Sequence, residues 1–521
     1  MRRFFALFSL MRAGFVLARE GVISALPEEG MPPPVKFAHT IAGLIARRRT
    51  AGSARSEQLS RALNRLGPSW VKLGQFLATR PDVVGAEIAG DLQLLQDQME
   101  PFSQDEARAA VEGSIGIPVD ELFSAFSQPV AAASIAQVHK AVRASDGKEV
   151  AVKVIRPGVR RRFNNDLETF YSAARLLEKT VPIMDRLKPV SVVDMLAQSA
   201  RLEMDLRLEA AGLSELKENT EHDERFEAPG VDWERTGRDC LTMDWVEGIK
   251  MSNIEGLRAA GIDLDDLGVV LIQSFLNHTL RDGFFHADMH PGNLFVRADG
   301  TIVAVDLGIA GRLGKKERRF LAEILYGFIT RDYLRVSEVH FEAGYVPRHH
   351  DVASFAQAIR AIGEPIHGQS AETVSMAKLL TLLFEVTELF DMQTQPQLLL
   401  LQKTMVVVEG VARTLDPKFN MWKASEPVVG RWVACNLGPM GRLDDLKDAG
   451  LAIGRLINQA PEFAARTERF SDELDRMSEH GMRLNPETVR QIGKAEARES
   501  RFGRWALIVI ALIAALAYFD I

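Results

Sequence analysis

The chain has 521 residues, of which 46% are hydrophobic, so it can bury a large core and form more than one domain. Its only cysteines, Cys240 and Cys435, exclude a disulfide framework and a cysteine-rich metal site, and they fit a reducing compartment. The formal net charge is −7, but the charge is unevenly distributed along the chain: residues 1–55 are basic, with nine Lys or Arg and three Glu.

The N-terminal segment is basic and amphipathic. An apolar run begins at Phe4 and is punctuated by Arg2, Arg3, Arg12 and Arg19. This pattern is typical of a helix that lies on an anionic membrane surface. An ordinary exposed helix and an Arg-rich, acid-poor organellar transit peptide are the alternatives. We therefore predict that residues 1–55 form a membrane-associating segment and a linker.

A helical extension is predicted over residues 56–125. Pro68 suits the first turn of a helix that continues as SWVKLGQFLATRPD. In that helix Lys72 and Gln75 are i,i+3 neighbours, and Gly74 allows a packing partner to approach closely. Because a solvated lysine would give the same pattern, KLGQ alone predicts no particular contact.

An alanine-rich turn precedes a lysine-bearing strand. Residues 131–138 follow the spacing of the kinase nucleotide loop, with alanine at all three glycine positions. The strand that follows carries Lys153, which would reach nucleotide phosphates and pair with a helical glutamate. The predicted nucleotide-binding residues are Val130, Ala131, Ala132, Ala133, Ser134, Ile135, Ala136, Gln137, Val138 and Lys153.

The acidic partner of Lys153 is expected on a helix predicted over residues 197–216. In such a helix Asp205 and Glu209 are i,i+4 and share a face, whereas Glu203 points elsewhere. One acid can therefore pair with Lys153 while another meets a second cation. A strand is predicted over residues 240–246. It ends at the position of the hinge in a two-lobed kinase, whose backbone would bind adenine. This strand completes a predicted N-lobe over residues 126–248.

The most informative stretch covers residues 284–311. Two short apolar runs flank an Asp-Gly turn, which predicts a β-hairpin. Asp288 and Asn293 lie five residues apart before the hairpin, and Asp306 follows it, as in the phosphoryl-transfer template. Hard oxygen ligands hold Mg²⁺ beside a nucleoside triphosphate, and a carboxylate accepts the proton of the attacking group. We therefore predict ATP and Mg²⁺ as cofactors and a C-lobe over residues 249–330.

The C-terminal part is predicted to be helical and to end in a membrane anchor. Residues 331–500 form the helical extension, with breaks expected near Gly363–Gly368 and at Pro427. Residues 505–519 are uncharged and flanked by arginines and interfacial aromatics. This run is shorter than the roughly 20 apolar residues that span a bilayer, but snorkelling or local thinning would accommodate it.

In combination, these motifs resemble the UbiB family of atypical kinases, also called the ABC1 family, which is linked to ubiquinone biosynthesis. The resemblance covers residues 63–416 and the anchor, and it rests on KLGQ, AAASIAQVH, VAVK, Glu203-Met-Asp205, HADMHPGN, and DLG in place of DFG. It implies an α+β fold with two kinase-like lobes, an N-terminal KxGQ helical extension, a helical C-terminal extension and a C-terminal membrane anchor. HADMHPGN looks more like the bacterial branch, and Ala136 stands where many relatives have glycine.

The resemblance also implies roles for the site residues. Lys153 would pair with Glu209, Asn293 and Asp306 would bind the metal, and Asp288 would occupy the catalytic-base position. The KxGQ helix would pack over the active site as a lid, whose implied members are Lys72, Gly74, Gln75, Glu203 and Asp205. Such a lid would occupy the groove where a protein substrate docks. This favours ATP hydrolysis, or phosphorylation of a small or lipid-like molecule.

The leading functional hypothesis is an ATP-dependent phosphotransferase or ATPase that supports ubiquinone biosynthesis at the membrane. It would act on polyprenyl quinone precursors or on their biosynthetic complex. The implied partners are anionic membrane lipids and those precursors or proteins, with no nucleic acid, and the implied location is the cytoplasmic face of the bacterial inner membrane. One alternative is a small-molecule kinase resembling aminoglycoside phosphotransferases, which lack the KxGQ segment. Another is a pseudokinase scaffold or lipid chaperone that is switched by nucleotide.

Overall fold

The computed structural model describes residues 2–23, 55–78, 84, 86–93, 100–180, 188–368, 386, 389–392 and 396–437. Residues Met1–Ala434 form one compact unit and residues Cys435–Ile521 a second. The predicted anchor at residues 505–519 lies outside the described residues, so it stays a prediction. Within the described ranges, no helix combines the length and the apolar character that crossing a membrane requires.

The N-terminal region is helical and has a small core of its own. Its helices are α1 (Arg2–Arg19), α2 (Arg55–Leu66), α3 (Pro68–Ala78) and α4 (Ala86–Gln93). Gly67 adopts φ +111° between α2 and α3, and Pro68 begins α3, where a backbone donor is not needed. Just beyond α1, the buried Glu20 meets Arg65 of α2 with 2.6 Å between Oε1 and Nη1. This ion pair joins α1 to the helical extension.

The N-lobe is built on an antiparallel sheet. After α5 (Gln104–Ile115) and α6 (Val119–Leu122), its strands are β1 (Phe123–Ala132), β2 (Ala136–Arg143), β3 (Glu149–Ile155) and β5 (Cys240–Asp244), side by side in that order. Val150, Val152 and Val154 face the small core that α5 covers. Because side chains alternate along a strand, Ala151, Lys153 and Ile155 face the opposite side, where the main core lies.

The helices beside this sheet correct one prediction. They are α7 (Val159–Thr180), α8 (Pro189–Glu203) and α9 (Leu206–Asn219). The single helix predicted over residues 197–216 is wrong, because α8 ends at Glu203 and Asp205 is the N-cap of α9, accepting a hydrogen bond from the Arg207 backbone N–H. Aspartate is more favourable at an N-cap than inside a helix. Asp205 and Glu209 therefore do not share a face of one helix.

The C-lobe contains two small sheets and two helices. Its elements are β4 (Phe226–Glu227), β6 (Ile249–Lys250), α10 (Ile254–Ala259), α11 (Leu264–Asn277), β7 (Phe284–His286), β8 (Leu294–Val296), β9 (Ile302–Ala304) and β10 (Ala310–Arg312). One sheet has the order β4-β9-β8-β6, and β7 pairs with β10. The predicted hairpin is confirmed, because β8 and β9 are antiparallel and Gly300 takes φ +84° at the turn. The apolar helix α11 is followed by a short π-helix at His278–Asp282.

The described part of the C-terminal region, which ends at residue 437, is mostly helical. Its helices are α12 (Lys315–Thr330), α13 (Tyr333–Glu342), α14 (Val352–Gly368), α15 (Pro396–Leu415) and α16 (Met421–Leu437). The break predicted near Gly363–Gly368 coincides with the end of α14, which continues through Gly363 and ends at Gly368, whereas the break predicted at Pro427 is wrong, since Pro427 lies inside α16. Gly363 serves close packing instead, because a Cβ there would lie 2.3 Å from Cε1 of Tyr333. Pro427 removes one backbone donor, and burial of Val428 and Val429 on the core offsets that loss.

Candidate active site

Lys153 connects the two lobes through a pair of carboxylates. Its Nζ donates to Oε1 of Glu209 on α9 at 2.7 Å and to Oδ2 of Asp306, just after β9, at 2.8 Å. The Lys153 and Glu209 side chains are 14% and 6% exposed, whereas Asp306 is 39% exposed. The predicted Lys153–Glu209 pairing is therefore present, and Asp306 joins it on the open side.

The three charges shift one another's pKa. Burial alone would lower the pKa of Lys153, but the charges of Asp306 and Glu209 outweigh burial and raise it. Burial raises the pKa of Glu209 to about 7, which attraction to Lys153 only partly offsets. Burial also acts to raise the pKa of Asp306, yet Lys153 lowers it to about 2. Asp306 therefore carries a full negative charge at neutral pH, as a metal ligand must.

The segment between β7 and β8 holds Asp288 and Asn293 together. The Asn293 side-chain N–H donates to the Asp288 backbone oxygen at 3.1 Å and to its Oδ2 at 3.2 Å. Nδ1 of the buried His286 accepts from the Asp288 N–H at 3.3 Å, and burial lowers the pKa of His286, which keeps the ring neutral and able to accept. This local network fixes the orientation of both predicted residues.

The donor set fits a hard divalent cation such as Mg²⁺. The amide nitrogen of Asn293 donates to Asp288, so the Asn293 Oδ1 atom can face a cation. In Asp306, the Oδ1 atom accepts one backbone hydrogen bond, from the Gly308 N–H at 3.0 Å. Amide and carboxylate oxygens are the ligands that Mg²⁺ prefers. Asn293 is in turn held beside β9, because the Val305 N–H donates to its backbone oxygen at 3.0 Å.

The alanine-rich turn lies next to Lys153. Residues 133–135 connect β1 to β2, with the Ala133 N–H bonded to the Ala136 oxygen at 2.8 Å, and Val138 is the register partner of Lys153. The ten predicted nucleotide-binding residues do not all face one way. Val130 is 52% exposed, whereas Ser134, Ala136 and Gln137 are each almost fully buried. The Gln137 side chain in particular bonds to the Phe102 backbone, and a nucleotide contact of Gln137 stays a prediction.

The KxGQ helix α3 contacts the acid at the end of α8. Lys72 Nζ forms an ion pair with Glu203 Oε2, and the side chains are only 17% and 10% exposed. Asp205, the other acid of the predicted lid, instead caps α9 and pairs with Arg207 at 2.7 Å. Gly74 is buried within α3, and Gln75 is partly buried there. The predicted lid contact thus exists through Glu203 and not through Asp205.

An open cavity of about 290 Å³ lies between the lid acid and the segment after Asp306. Its polar lining includes Glu203, Glu209 and Arg312, and its apolar lining includes Leu208 and Leu307. The cavity therefore combines apolar walls with the carboxylates of Glu203 and Glu209.

Two contacts that shape the site were missed from the sequence. The buried Thr404 hydroxyl of α15 lies 2.8 Å from the Leu400 backbone oxygen of its own helix and 3.1 Å from the Ala287 backbone oxygen, so the two acceptors share its single proton. Arg312 on β10 bonds to Glu215 on α9 at 2.7 Å and lies over the Phe284 ring at 4.7 Å. Neither has a local sequence signal, because each joins segments that meet only in the folded chain.

Sequence comparisons with known proteins identify relatives of this chain. Residues 94–340 match the family model for the ABC1 atypical kinase-like domain, and residues 359–420 match the UbiB helical domain. A protein of Marinobacter nauticus named "Probable protein kinase UbiB" is 36% identical over 515 residues, covering 97% of this chain and 92% of that protein. A Vibrio cholerae protein of the same name is 38% identical over 407 residues, covering 77% and 75%.

The solved complex of Rv3197 with erythromycin from Mycobacterium tuberculosis aligns with a TM-score of 0.49 at 25% identity, covering 75% of this chain and 98% of that one. The two matched family models and the near full-length similarity to the Marinobacter protein confirm the resemblance given by the motifs. The chain belongs to the UbiB family of atypical kinases.

Proposed function

We propose that the protein is a Mg-ATP-dependent phosphotransferase or ATPase. The observation that carries this proposal is the placement of Lys153 between Glu209 and Asp306, with Asn293 and Asp288 on the adjoining loop. These are the residue types that the phosphoryl-transfer template requires, on elements from both lobes.

Each residue has a distinct task in this proposal. Glu209 holds the Lys153 ammonium in place, and that ammonium would contact nucleotide phosphates. Asn293 and Asp306 would hold Mg²⁺, which neutralises phosphate charge when bound. The Asp288 carboxylate, oriented by Asn293, would accept a proton from a hydroxyl group or water.

The surroundings favour a small or lipid-like acceptor, or water, over a protein. The Lys72–Glu203 pair brings α3 against the acids beside Glu209, where an extended peptide would otherwise need room. The neighbouring cavity has apolar walls that suit an apolar molecule. The name UbiB carried by the relatives supports a role in ubiquinone biosynthesis, with polyprenyl quinone precursors or their biosynthetic proteins as partners.

Helix α1 supports a membrane location. Phe8, Met11 and Phe15 are spaced along one face of α1 and remain 61%, 59% and 51% exposed after folding. Arg12 and Arg19 are also exposed on this helix. An exposed apolar stripe with adjacent positive charge fits an anionic bilayer surface. We propose the cytoplasmic face of the inner membrane as its location.

ATP turnover by the purified full-length protein tests the proposed function. Rates are measured alone, with anionic liposomes, and with liposomes that also contain a polyprenylphenol. We expect turnover that rises with liposomes and changes again with the polyprenylphenol. Nucleotide binding without turnover in every condition would instead support the nucleotide-switched scaffold. Phosphorylation of a soluble aminoglycoside would support the small-molecule kinase.

A further inference from the structure

Gln137 holds the segment that enters the N-lobe. Its side chain on β2 is 1% exposed. Its Oε1 accepts from the Phe102 N–H at 3.0 Å, and its Nε2 donates to the Phe102 backbone oxygen at 3.2 Å. The amide thus bonds to both backbone polar groups of one residue, as a neighbouring strand would, across 35 residues of sequence.

His139 fixes which way this amide points. Its Nδ1 lies 2.8 Å from the Ser127 backbone oxygen, which can only accept, so Nδ1 carries the proton. Its Nε2 is then an acceptor, and it lies 2.9 Å from Nε2 of Gln137. Both hydrogens of the Gln137 amide are therefore used, one by His139 and one by Phe102. Every polar atom of this buried group has a partner, which makes the arrangement specific.

Arg156 makes a second attachment at the end of β3. Its Nη2 donates to the backbone oxygen of Glu100 at 2.9 Å and lies 3.4 Å from that of Ala133. The guanidinium also lies over the Phe102 ring at 5.2 Å. Residues 100–102 are therefore bonded to the alanine-rich turn through Arg156 and to the strand beyond it through Gln137.

We propose that Gln137 is a positioning residue that holds the alanine-rich turn over the phosphate-binding position by clamping residues 100–102 against β2. The inference rests on the proposed nucleotide-binding function. The methyl groups of alanine limit how closely this turn can approach phosphate, so its position relative to Lys153 depends on the contacts that hold it, which include those of Gln137 and Arg156 with residues 100–102. Gln137 is adjacent to Val138, the register partner of Lys153, so a shift of β2 at this point moves the turn relative to the lysine.

The test compares Gln137→Met with the matched control Gln128→Met. Gln128 lies on β1, is exposed, and bonds to Gln104 of the same incoming segment at 2.7 Å. The substitution is chemically the same, but it removes an exposed contact. Three quantities are measured: backbone hydrogen exchange at residues 131–138 without nucleotide, affinity for MgATP, and affinity for adenosine.

For Gln137→Met we expect exchange at residues 131–138 to be about tenfold faster and MgATP affinity about tenfold weaker, with adenosine affinity unchanged. Adenosine separates positioning from general loosening, because it lacks the phosphates that the turn would cover. Gln128→Met should match the parent in all three. Arg156→Lys keeps the positive charge but cannot reach the backbone oxygens of both Glu100 and Ala133, so it should also weaken MgATP affinity, by a smaller factor than Gln137→Met.

Unchanged MgATP affinity in Gln137→Met would overturn the inference, and so would equal weakening of MgATP and adenosine or unchanged exchange at the turn. A parent protein that binds no MgATP would overturn the proposed function instead. In that case the exchange data would still decide whether Gln137 holds the turn in place.

Discussion

At the scale of single residues, Lys72 gives the sharpest test of the lid. Its pair with Glu203 is largely withdrawn from solvent. Lys72→Ala would leave that carboxylate without its partner, which costs about 3 kcal/mol or more in buried pairs. We expect the loosened lid to change the rate of ATP hydrolysis or to permit autophosphorylation that the parent lacks, and cellular ubiquinone to fall. Phosphate incorporation, ATPase rate and quinone content are measured side by side.

The matched control is Arg207→Ala. Arg207 also pairs with an acid of the Glu203-Met-Asp205 motif, but its side chain is 58% exposed, so we expect no measurable change in activity. If Lys72→Ala behaved like Arg207→Ala in all three assays, the lid would be wrong and protein substrates would again be plausible.

Gly311 gives a stability prediction for the strand after the DLG motif. A Cβ at this position would lie 2.1 Å from Cζ of Phe285, whose side chain is fully buried. Gly311→Ala should therefore lower the free energy of unfolding by about 2 kcal/mol through overpacking. Gly410→Ala is the control: it lies inside α15 with open space around the new Cβ, so it should stabilise by about 0.5–1 kcal/mol. Denaturant titration measures both, and a stable Gly311→Ala would contradict the packing of β10 on β7.

At the scale of elements, α15 supports the catalytic loop through Thr404. Thr404→Val keeps the shape of the side chain but removes the hydroxyl that the Leu400 and Ala287 oxygens share, which should cost about 1 kcal/mol. The control Thr414→Val lies on the same helix, where its exposed hydroxyl bonds only to the Gly410 oxygen at 2.8 Å among the described contacts. Hydrogen exchange at residues 286–293 should speed up in Thr404→Val alone. Equal exchange in both variants would show that α15 does not steady the loop.

Elements whose signals are local could be predicted from the sequence. The β8–β9 hairpin follows from its Asp-Gly turn between apolar runs. The five-residue spacing of Asp288 and Asn293 likewise places their side chains within hydrogen-bonding distance of each other. The break at Asp205 was missed because an acid inside a helical pattern and an acid that caps a new helix look alike until tertiary contacts select one. The contact of the Gln137 side chain with Phe102 was not predicted, because the two residues lie 35 positions apart in the sequence.

At the scale of the whole molecule, membrane attachment is predicted to have two parts. Deleting residues 504–521 should release the protein only partly from anionic vesicles, because the basic, apolar face of α1 supplies a second attachment that salt weakens. Flotation at low and high salt measures this. Complete release of the deleted protein at low salt would show that residues 1–20 do not bind lipid.

The site itself is assembled from distant parts of the chain. Lys153 comes from the N-lobe sheet, Glu209 from α9 and Asp306 from the C-lobe hairpin, so no local pattern alone gives their distances. The family resemblance supplied the pairing that the sequence pattern left open between the candidate acids. The motifs do not determine which acid pairs with Lys72; the folded structure shows that it is Glu203 and not Asp205.

The most direct test of the account is MgATP binding by Asp306→Asn. The substitution keeps the size of the side chain and leaves Lys153 paired with Glu209, but it removes an anionic metal ligand. Its control is Asp299→Asn in the exposed turn of the same hairpin. At ligand concentrations about 100 times Kd, binding stabilises a protein by about 2.7 kcal/mol, which a thermal-shift assay detects. We predict that MgATP raises Tm in the parent and in Asp299→Asn but not in Asp306→Asn; an equal rise in all three would contradict the assignment of Asp306 to the metal site.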